Sequence, residues 1–524
     1  MRKNMVKHVL VLFIAAITFT LAACGGTETD ATTTAPGTGT ETTRGTTTTT
    51  TDGGTTQTTK EVPNLLGQDF VIMVNKASGT DPRSEGYTGN WQDEKVAKIE
   101  MVEEKYNINV VYETYPADAV WGGGRERFII QNSANETPQA HIYEMPSYSL
   151  AALAEASAIL PLDTLIETYG HPGYWPEKAA FGTVMGKQYA YDDAYPLVGQ
   201  GIYYNIDLLE ELLGEGQGTL PSELWLDGQW DWQAFQDIAE DLLPGISSRG
   251  IDGAGVIGGR TYNWAYQLLG ANGVHVVNND LRSELATQPA IDTLNFINDL
   301  VSIPDMWEWE SAALANATCP QFKEGNIAFH NGEPYWLYDS SKWLGYDFNM
   351  GFVPYPTGPN AEDDLSNYYV NEVYGKTSYV VSSSYSLEKV EPGYENIAFH
   401  EETIFRIWAD MQYFPEIDPD TGYVSTDEIV DEWVFNTLEL YYSPMGNNAS
   451  IEAHRSIMFK GYPDYFYSLY WARSHDPAKS FMLDLQNAIL AGDIRNAMLD
   501  LEATIHEEFI ATYQNLGLTE EYYE

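Results

Sequence analysis

The chain has 524 residues, an ordinary apolar fraction of 44% and a formal charge of −49. Its size and composition exclude a disordered or fibrous protein and leave room for two or three average domains. Charge of that sign repels nucleic acid and anionic lipid, and with two cysteines in the whole chain a disulfide framework is excluded.

The first element in chain order is a leader. Arg2, Lys3 and Lys7 precede an apolar run over residues 9–21 that closes on Leu21-Ala22-Ala23-Cys24. A basic start, a short apolar core and small residues before a cleavage point predict a secretory signal. The run is short for a membrane span, which needs about 20 residues, so an uncleaved anchor is the weaker reading. Cysteine directly after Leu-Ala-Ala resembles the bacterial lipobox. That resemblance implies removal of residues 1–23 and a lipid, palmitate among its chains, on Cys24. Loss of Arg2, Lys3 and Lys7 makes the mature chain still more negative. Residues 24–60 are mostly threonine with glycine, hold no apolar cluster and predict a disordered tether. A coil of about 35 residues reaches roughly 30–35 Å. With Cys24 used by the anchor, Cys319 has no intramolecular partner and reads as a small buried apolar residue.

The body starts near residue 61. Residues 70–74 are a short apolar run that predicts a strand, and 94–106 carry helical spacing. Strands follow at 109–112 and 140–143, with helices at 125–132 and 149–158. This alternation predicts an α/β body with a largely parallel sheet. Residues 186–191 and 201–205 read as strands bracketing a loop. Helices are expected at 206–213, 232–242, 264–269 and 289–301, a strand pair at 327–330 with 349–353, a strand at 378–382, and helix from 480 onward.

Several blocks in this order resemble the extracellular solute-binding proteins of family 1, the receptors of bacterial ABC importers. Residues 99–110 (IEMVEEKYNINV) resemble the family's first helix running into its second strand. Ile159-Leu-Pro-Leu-Asp163 resembles its "L-x-PLD" step, and Gly186-Lys-Gln-Tyr189 with Ile202-Tyr-Tyr-Asn-Ile-Asp-Leu-Leu209 resembles "GK-x-Y … YN-x-DLL". Trp230-Asp-Trp-Gln-Ala-Phe235, Ala271-Asn-Gly273, Phe322-Lys-Glu-Gly-Asn-Ile-Ala328 and Gly351-Phe-Val-Pro-Tyr-Pro356 match further family steps. Ala140-His-Ile142 departs from the family's "PDI", and residues 393–430 do not align.

The resemblance implies a two-lobed α/β fold of the type II periplasmic-binding-protein kind, with a hinge and a ligand cleft at the lobe interface. Lobe one would hold residues 61–193 plus 347–412, and lobe two 200–345 plus 415–524. The ligand would lie near the carboxyl ends of the strands, and closure would be a hinge motion. It further implies a sugar ligand, an oligosaccharide for preference, with ABC permease subunits as partners. The expected state is a monomer on the extracellular face of the cell membrane, held by the lipid on Cys24, with no cofactor, no metal and no nucleic acid.

A sugar needs aromatic faces for its C–H surface and planar carboxylates or amides for its hydroxyls. The loops that this fold would aim into the cleft carry Trp336 and Tyr335, then Trp264, Tyr374, Asp192, Glu144, Trp91, Tyr262 and Tyr195, which are the candidate ligand contacts. For each aromatic the competing role is core or hinge packing, and for each acid a solvated surface carboxylate. Gly253-Ala-Gly-Val-Ile-Gly258 fits G-x-G-x-x-G, but Pro244-Gly-Ile-Ser-Ser before it reads as loop and Val256-Ile257 as extended, against a dinucleotide site. Asp418-Pro-Asp-Thr-Gly422 resembles a calcium loop with its glycine one position early, so a plain turn is preferred. A surface-anchored glycoside hydrolase, which needs two carboxylates about 5–10 Å apart, is the competing function. A binding protein of the same fold for a non-sugar solute, or an adhesin or sensor, is the third reading.

Overall fold

The computed structural model describes residues 61–524 except 122, 196, 279–281, 309–318, 338, 363, 372–375, 421, 423–447, 464–480 and 516–524. The leader, Cys24 and the tether lie outside the described residues, as does Tyr374. Among the described residues no helix is long and apolar enough to cross a membrane.

Thirteen strands occur among the described residues. They are β1 Gln68–Val74, β2 Ile108–Thr114, β3 Ile142–Pro146, β4 Thr183–Val184, β5 Lys187–Gln188, β6 Gly201–Asn205, β7 Gly255–Gly258, β8 Trp307–Glu308, β9 Ile327–Gly332, β10 Met350–Val353, β11 Val370–Asn371, β12 Thr377–Val381 and β13 Gly461–Tyr462. Two sheets organise them. The first has the order β12-β3-β1-β2 and the second β10-β6-β9-β7-β8. Each is the centre of one lobe.

Both sheets are mixed rather than largely parallel. In the first, β1 is parallel to β2 and β3, while β12 runs antiparallel to β3. In the second, β7 is parallel to β8 and β9, and β6 is antiparallel to β9 and β10. The antiparallel members are the strands by which the chain enters a lobe from the other one. The expected pairing of 327–330 with 349–353 does not form; β9 and β10 lie on opposite sides of β6. That also moves a boundary. Residues 350–353 belong to the second sheet, and β11 packs on the Thr261–Ala271 helix of the same lobe, so the chain returns to lobe one after residue 371, not before 347.

Pattern and packing agree where the apolar period is clean. In β1, Phe70, Ile72 and Val74 enter one core with Ile99, Val102 and Tyr106, while Met73 enters another with Tyr115, Ile129 and Tyr143. A sheet covered on both faces reads as an almost continuous apolar run. The Gln92–Tyr106 helix stops where Asn107 turns left-handed at φ 52° and donates its N–H to the Glu103 carbonyl. Asn205 ends β6 and caps the next helix by accepting from the Leu208 N–H at 3.0 Å.

Three local expectations fail for physical reasons. The strand expected over 186–191 shrinks to β5, in a tight hairpin with β4, because Tyr189 and Tyr191 spend their N–H groups on Gly182 and Tyr379. The helix Trp232–Ser248 runs straight through Pro244, which read as loop. Its apolar face, Phe235, Ile238, Ala239, Leu242 and Ile246, continues past the proline and outweighs the lost hydrogen bond. The strand expected at 140–143 starts at Ile142 and extends to Pro146, since β12 pairs with it along that length.

Candidate functional site

All the groups that converge between the lobes leave their sheets at one edge. In lobe one this edge holds the carboxyl ends of β1, β2 and β3 and the amino end of β12. In lobe two it holds the carboxyl ends of β7, β9 and β10 and the amino end of β6. Loops at such an edge are where open α/β sheets collect ligand contacts.

Two crossing segments join the edges, and each end is clamped. At the lobe-one end the buried Lys178 ammonium lies 3.0 Å from Asp192 Oδ1 and donates to the Thr377 carbonyl at 3.0 Å. At the lobe-two end Gln267 donates to Gln200 Oε1 and to the Asn371 carbonyl, and accepts from the Asn371 N–H at 3.1 Å. Between them Lys376 Nζ donates to the Leu197 carbonyl at 2.6 Å. A further chain segment is tied in by Asp193, which accepts from the Tyr413 N–H at 3.0 Å. Tyr195, midway along the first crossing, sets its ring edge-on to Trp175 of lobe one and to Phe459 of lobe two, 5.0 Å from each. It is a bearing between lobes.

On lobe one a cavity of about 290 Å³ opens beside the hinge. Its walls come from the glycine-rich loop after β1 (Tyr87, Thr88, Gly89), from Asp192 and Asp193, and from Tyr112, Tyr379 and Trp408. Asp192 lines it and keeps one oxygen, Oδ2, without a hydrogen-bond partner. Burial pushes the Asp192 carboxyl up and the Lys178 ammonium pulls it back. Lys95 lines the same cavity and is ion-paired to Asp193 at 2.8 Å. Trp91 opens the Gln92–Tyr106 helix in a left-handed conformation and packs beside Trp175 and Tyr413 rather than on the cavity wall. Glu144 also sits apart from the cavity. It accepts from the Asn75 N–H at 2.8 Å and lies 3.5 Å from the Arg125 guanidinium, so it braces the end of β1. Burial raises its carboxyl, and the Asn75 N–H and Arg125 oppose that.

On lobe two a narrow slot is lined by Gln200, Asn263, Gln267, Asn331, Glu333, Trp336 and Tyr355. Trp336 is 1% exposed, stands edge-on to Trp343 at 4.9 Å, and leaves its indole Nε1 unpartnered. Tyr335 is half-buried and edge-on to Trp336 at 6.3 Å. Asn263, on the first turn of the Thr261–Ala271 helix, is buried with neither its amide oxygen nor its nitrogen bonded, and Thr261 Oγ1 beside it is unbonded too. Buried polar groups are almost always paired, and leaving one unpaired costs about 1–3 kcal/mol. Tyr262 takes a hydrogen bond from Arg260 Nη1 at 2.8 Å. Trp264 is fully buried, donates to the Gly258 carbonyl at 2.9 Å and packs on Trp307 and Tyr355, which places it in the lobe core behind the slot.

The sequence reading passed over four residues that the geometry brings forward. Lys178, Asn263 and Asn331 carry no local motif, and only burial distinguishes them. Trp121 had a visible signal, an aromatic in a glycine-rich loop after β2. It is 42% exposed, and the Arg125 guanidinium lies 4.4 Å from its ring and 4.4 Å from that of Tyr115 on the other side. Asp418 to Gly422 makes a turn, with the Gly422 N–H on the Asp418 carbonyl and the Asp420 N–H on Asp418 Oδ1. Among the described residues no cluster of His, Cys, Asp and Glu could hold a metal. Cys319 is buried, as expected, and its sulfur faces the Gly259 N–H at 3.2 Å.

Residues 97–385, more than half of the chain, match the model of the bacterial extracellular solute-binding proteins. The chain belongs to that family. Membership implies an extracellular or periplasmic place of action, and the matched range covers both crossing segments described above. No curated protein sequence matches the chain. Solved structures share the two-lobed fold at low identity. An ABC substrate-binding protein from Listeria monocytogenes in complex with cycloalternan is 15% identical with a TM-score of 0.52, over 86% of this chain and 100% of that one. The sugar-binding protein MalE from Xanthomonas citri is 12% identical with a TM-score of 0.53, over 86% and 100%. The cyclic alpha-maltosyl-1,6-maltose binding protein from Arthrobacter globiformis is 14% identical with a TM-score of 0.52, over 84% and 98%.

Proposed function

We propose that this protein is a lipid-anchored extracellular receptor that captures an oligosaccharide between its lobes and hands it to an ABC permease. One observation carries the sugar reading. The lobe-two slot presents buried, unpartnered amide and indole groups (Asn263, Asn331 and Trp336), and the lobe-one cavity is walled by Tyr112, Tyr379 and Trp408. Amides that both donate and accept suit vicinal hydroxyls, and aromatic walls suit the C–H faces of a sugar ring. The solved neighbours that bind cycloalternan and cyclic alpha-maltosyl-1,6-maltose support the same class. Trp336, Tyr335, Asp192 and Trp121 are the proposed contacts, Tyr374 stays a candidate on its sequence position, and Glu144, Tyr195 and Trp264 act as supports. Three of the carboxylates at this edge are ion-paired, Asp192 with Lys178, Asp193 with Lys95 and Glu144 with Arg125, which favours binding over glycoside hydrolysis. The leader 1–23, the lipid on Cys24 and the tether 24–60 would leave a monomeric body free to load in the medium and dock at the membrane. Tryptophan fluorescence titration against an oligosaccharide panel tests the proposal. A saturable response to one glycan is expected; binding of amino acids or peptides in its place, or release of sugar from soluble glycans, would refute it.

A further inference from the structure

Resting on that reading of the site, we infer that the captured glycan carries no acidic group, and that acidic sugars are rejected. The inference comes from the charges on the two cavity walls. Among the described residues lining them, one is a cation, Lys95, and its ammonium is already ion-paired to Asp193 at 2.8 Å. The carboxylates are Asp192, Asp193 and Glu333. Lys178 offsets Asp192 from behind, at 3.0 Å, with both side chains 2% exposed. Arg125 lines neither cavity; it lies 3.5 Å from Glu144 and donates to Asn75 Oδ1 at 2.5 Å, while its Nε has no hydrogen-bond partner. Among the described residues lining the two cavities, no cation is therefore left without a carboxylate partner. Breaking one of these buried pairs to obtain one would leave a buried carboxylate uncompensated, a strongly destabilising step.

What the walls do offer is neutral. Asn263, Asn331 and Trp336 keep unpartnered polar atoms, and Gln200 and Gln267 complete an amide-lined slot. Glu333 is the charged member of that slot. It accepts hydroxyl hydrogens well and repels a uronate. The chain's formal charge of −49 adds a long-range field of the same sign. A hydroxyl-only ligand has no screened term in its affinity, so its binding should be flat with salt.

Calorimetric titration of the lipid-free mature chain tests this with two oligomer series of matched length: neutral gluco-oligosaccharides and oligogalacturonates. The neutral oligomer is expected to bind at least about tenfold more tightly than the acidic one, with affinity unchanged between low and high salt. Glu333→Gln is expected to narrow the gap between neutral and acidic oligomers. The acidic series binding as tightly as the neutral one, or an affinity that weakens steeply with salt, overturns the inference while leaving the sugar reading intact. Binding of no oligosaccharide in any series overturns both.

Discussion

Lys178 and Asp192 form an ion pair at 3.0 Å in which both side chains are 2% exposed, and Lys178 also holds the Thr377 carbonyl. One cation thus joins the segment that leaves lobe one to the start of β12, which re-enters it. Gln267 does the same for Gln200 and Asn371 at the far end of the crossing. The crossing segments are thus held at both ends, by Lys178 in lobe one and by Gln267 in lobe two.

Lys178→Met should be strongly destabilising, by about 3–5 kcal/mol, because it strands a buried carboxylate. Adding Asp192→Leu should recover much of that loss. Denaturant melts of the two single variants and the double variant measure the coupling. Additive losses would show that the pair does not act as a unit.

Asn263→Leu should have the opposite signature. Its amide is buried and unbonded, so removing it should leave stability unchanged or slightly raised. Glycan affinity should fall by roughly 10-fold or more, the value of about one lost hydrogen bond to a buried group. A melt and a titration on the same sample separate the two effects. A large drop in melting temperature with unaltered affinity would assign Asn263 to the framework.

Trp121→Ala should weaken binding by about tenfold with little effect on stability, since the ring is 42% exposed. Arg125→Lys should weaken binding less. It keeps the charge beside Glu144 but loses the flat guanidinium that lies between the Tyr115 and Trp121 rings. Fluorescence titration of both variants ranks them, and an unaltered Trp121→Ala variant would remove this residue from the site.

Acid should destabilise the body well before its carboxylates are protonated. Burial holds His141 and His330 down at about 4 and His454 at about 3, so all three are neutral in the fold near pH 6. Unfolded, each takes a proton near pH 6.5, so the unfolded chain binds more protons below that pH and stability falls as pH drops toward about 4. The raised carboxyls of Glu144 and Asp192 act in the opposite sense, since the fold holds their protons more tightly. Three histidines outweigh them between about pH 6.5 and 5, and the denaturant midpoint should fall over that range. A rise in stability would contradict the burial of these rings.

Much of lobe one and the β6–helix junction was legible because apolar period and turn chemistry agree there. Asn205, for instance, both ends a strand and caps a helix. Pro244 and the β9/β10 placement were not legible: a helix interior proline is decided by the apolar face around it, and strand order is decided by tertiary pairing. The site divides the same way. Asp192 and Trp336 stand out as polar and aromatic residues in loops at the strand ends. Trp264 and Glu144 carry the same letters in similar loops, yet one is core and the other a brace. Only burial and partners separate them. Asn263 looks like any helix residue until its amide is found without a bond.

The most direct test of the central claim is calorimetric titration of the mature chain with neutral oligosaccharides, run beside Asn263→Leu and Trp121→Ala. One residue lies on each lobe, so a ligand held between the lobes must feel both. The account predicts one saturable site in the parent chain and weaker binding in each variant. No binding of any glycan, or full affinity in both variants, would contradict it.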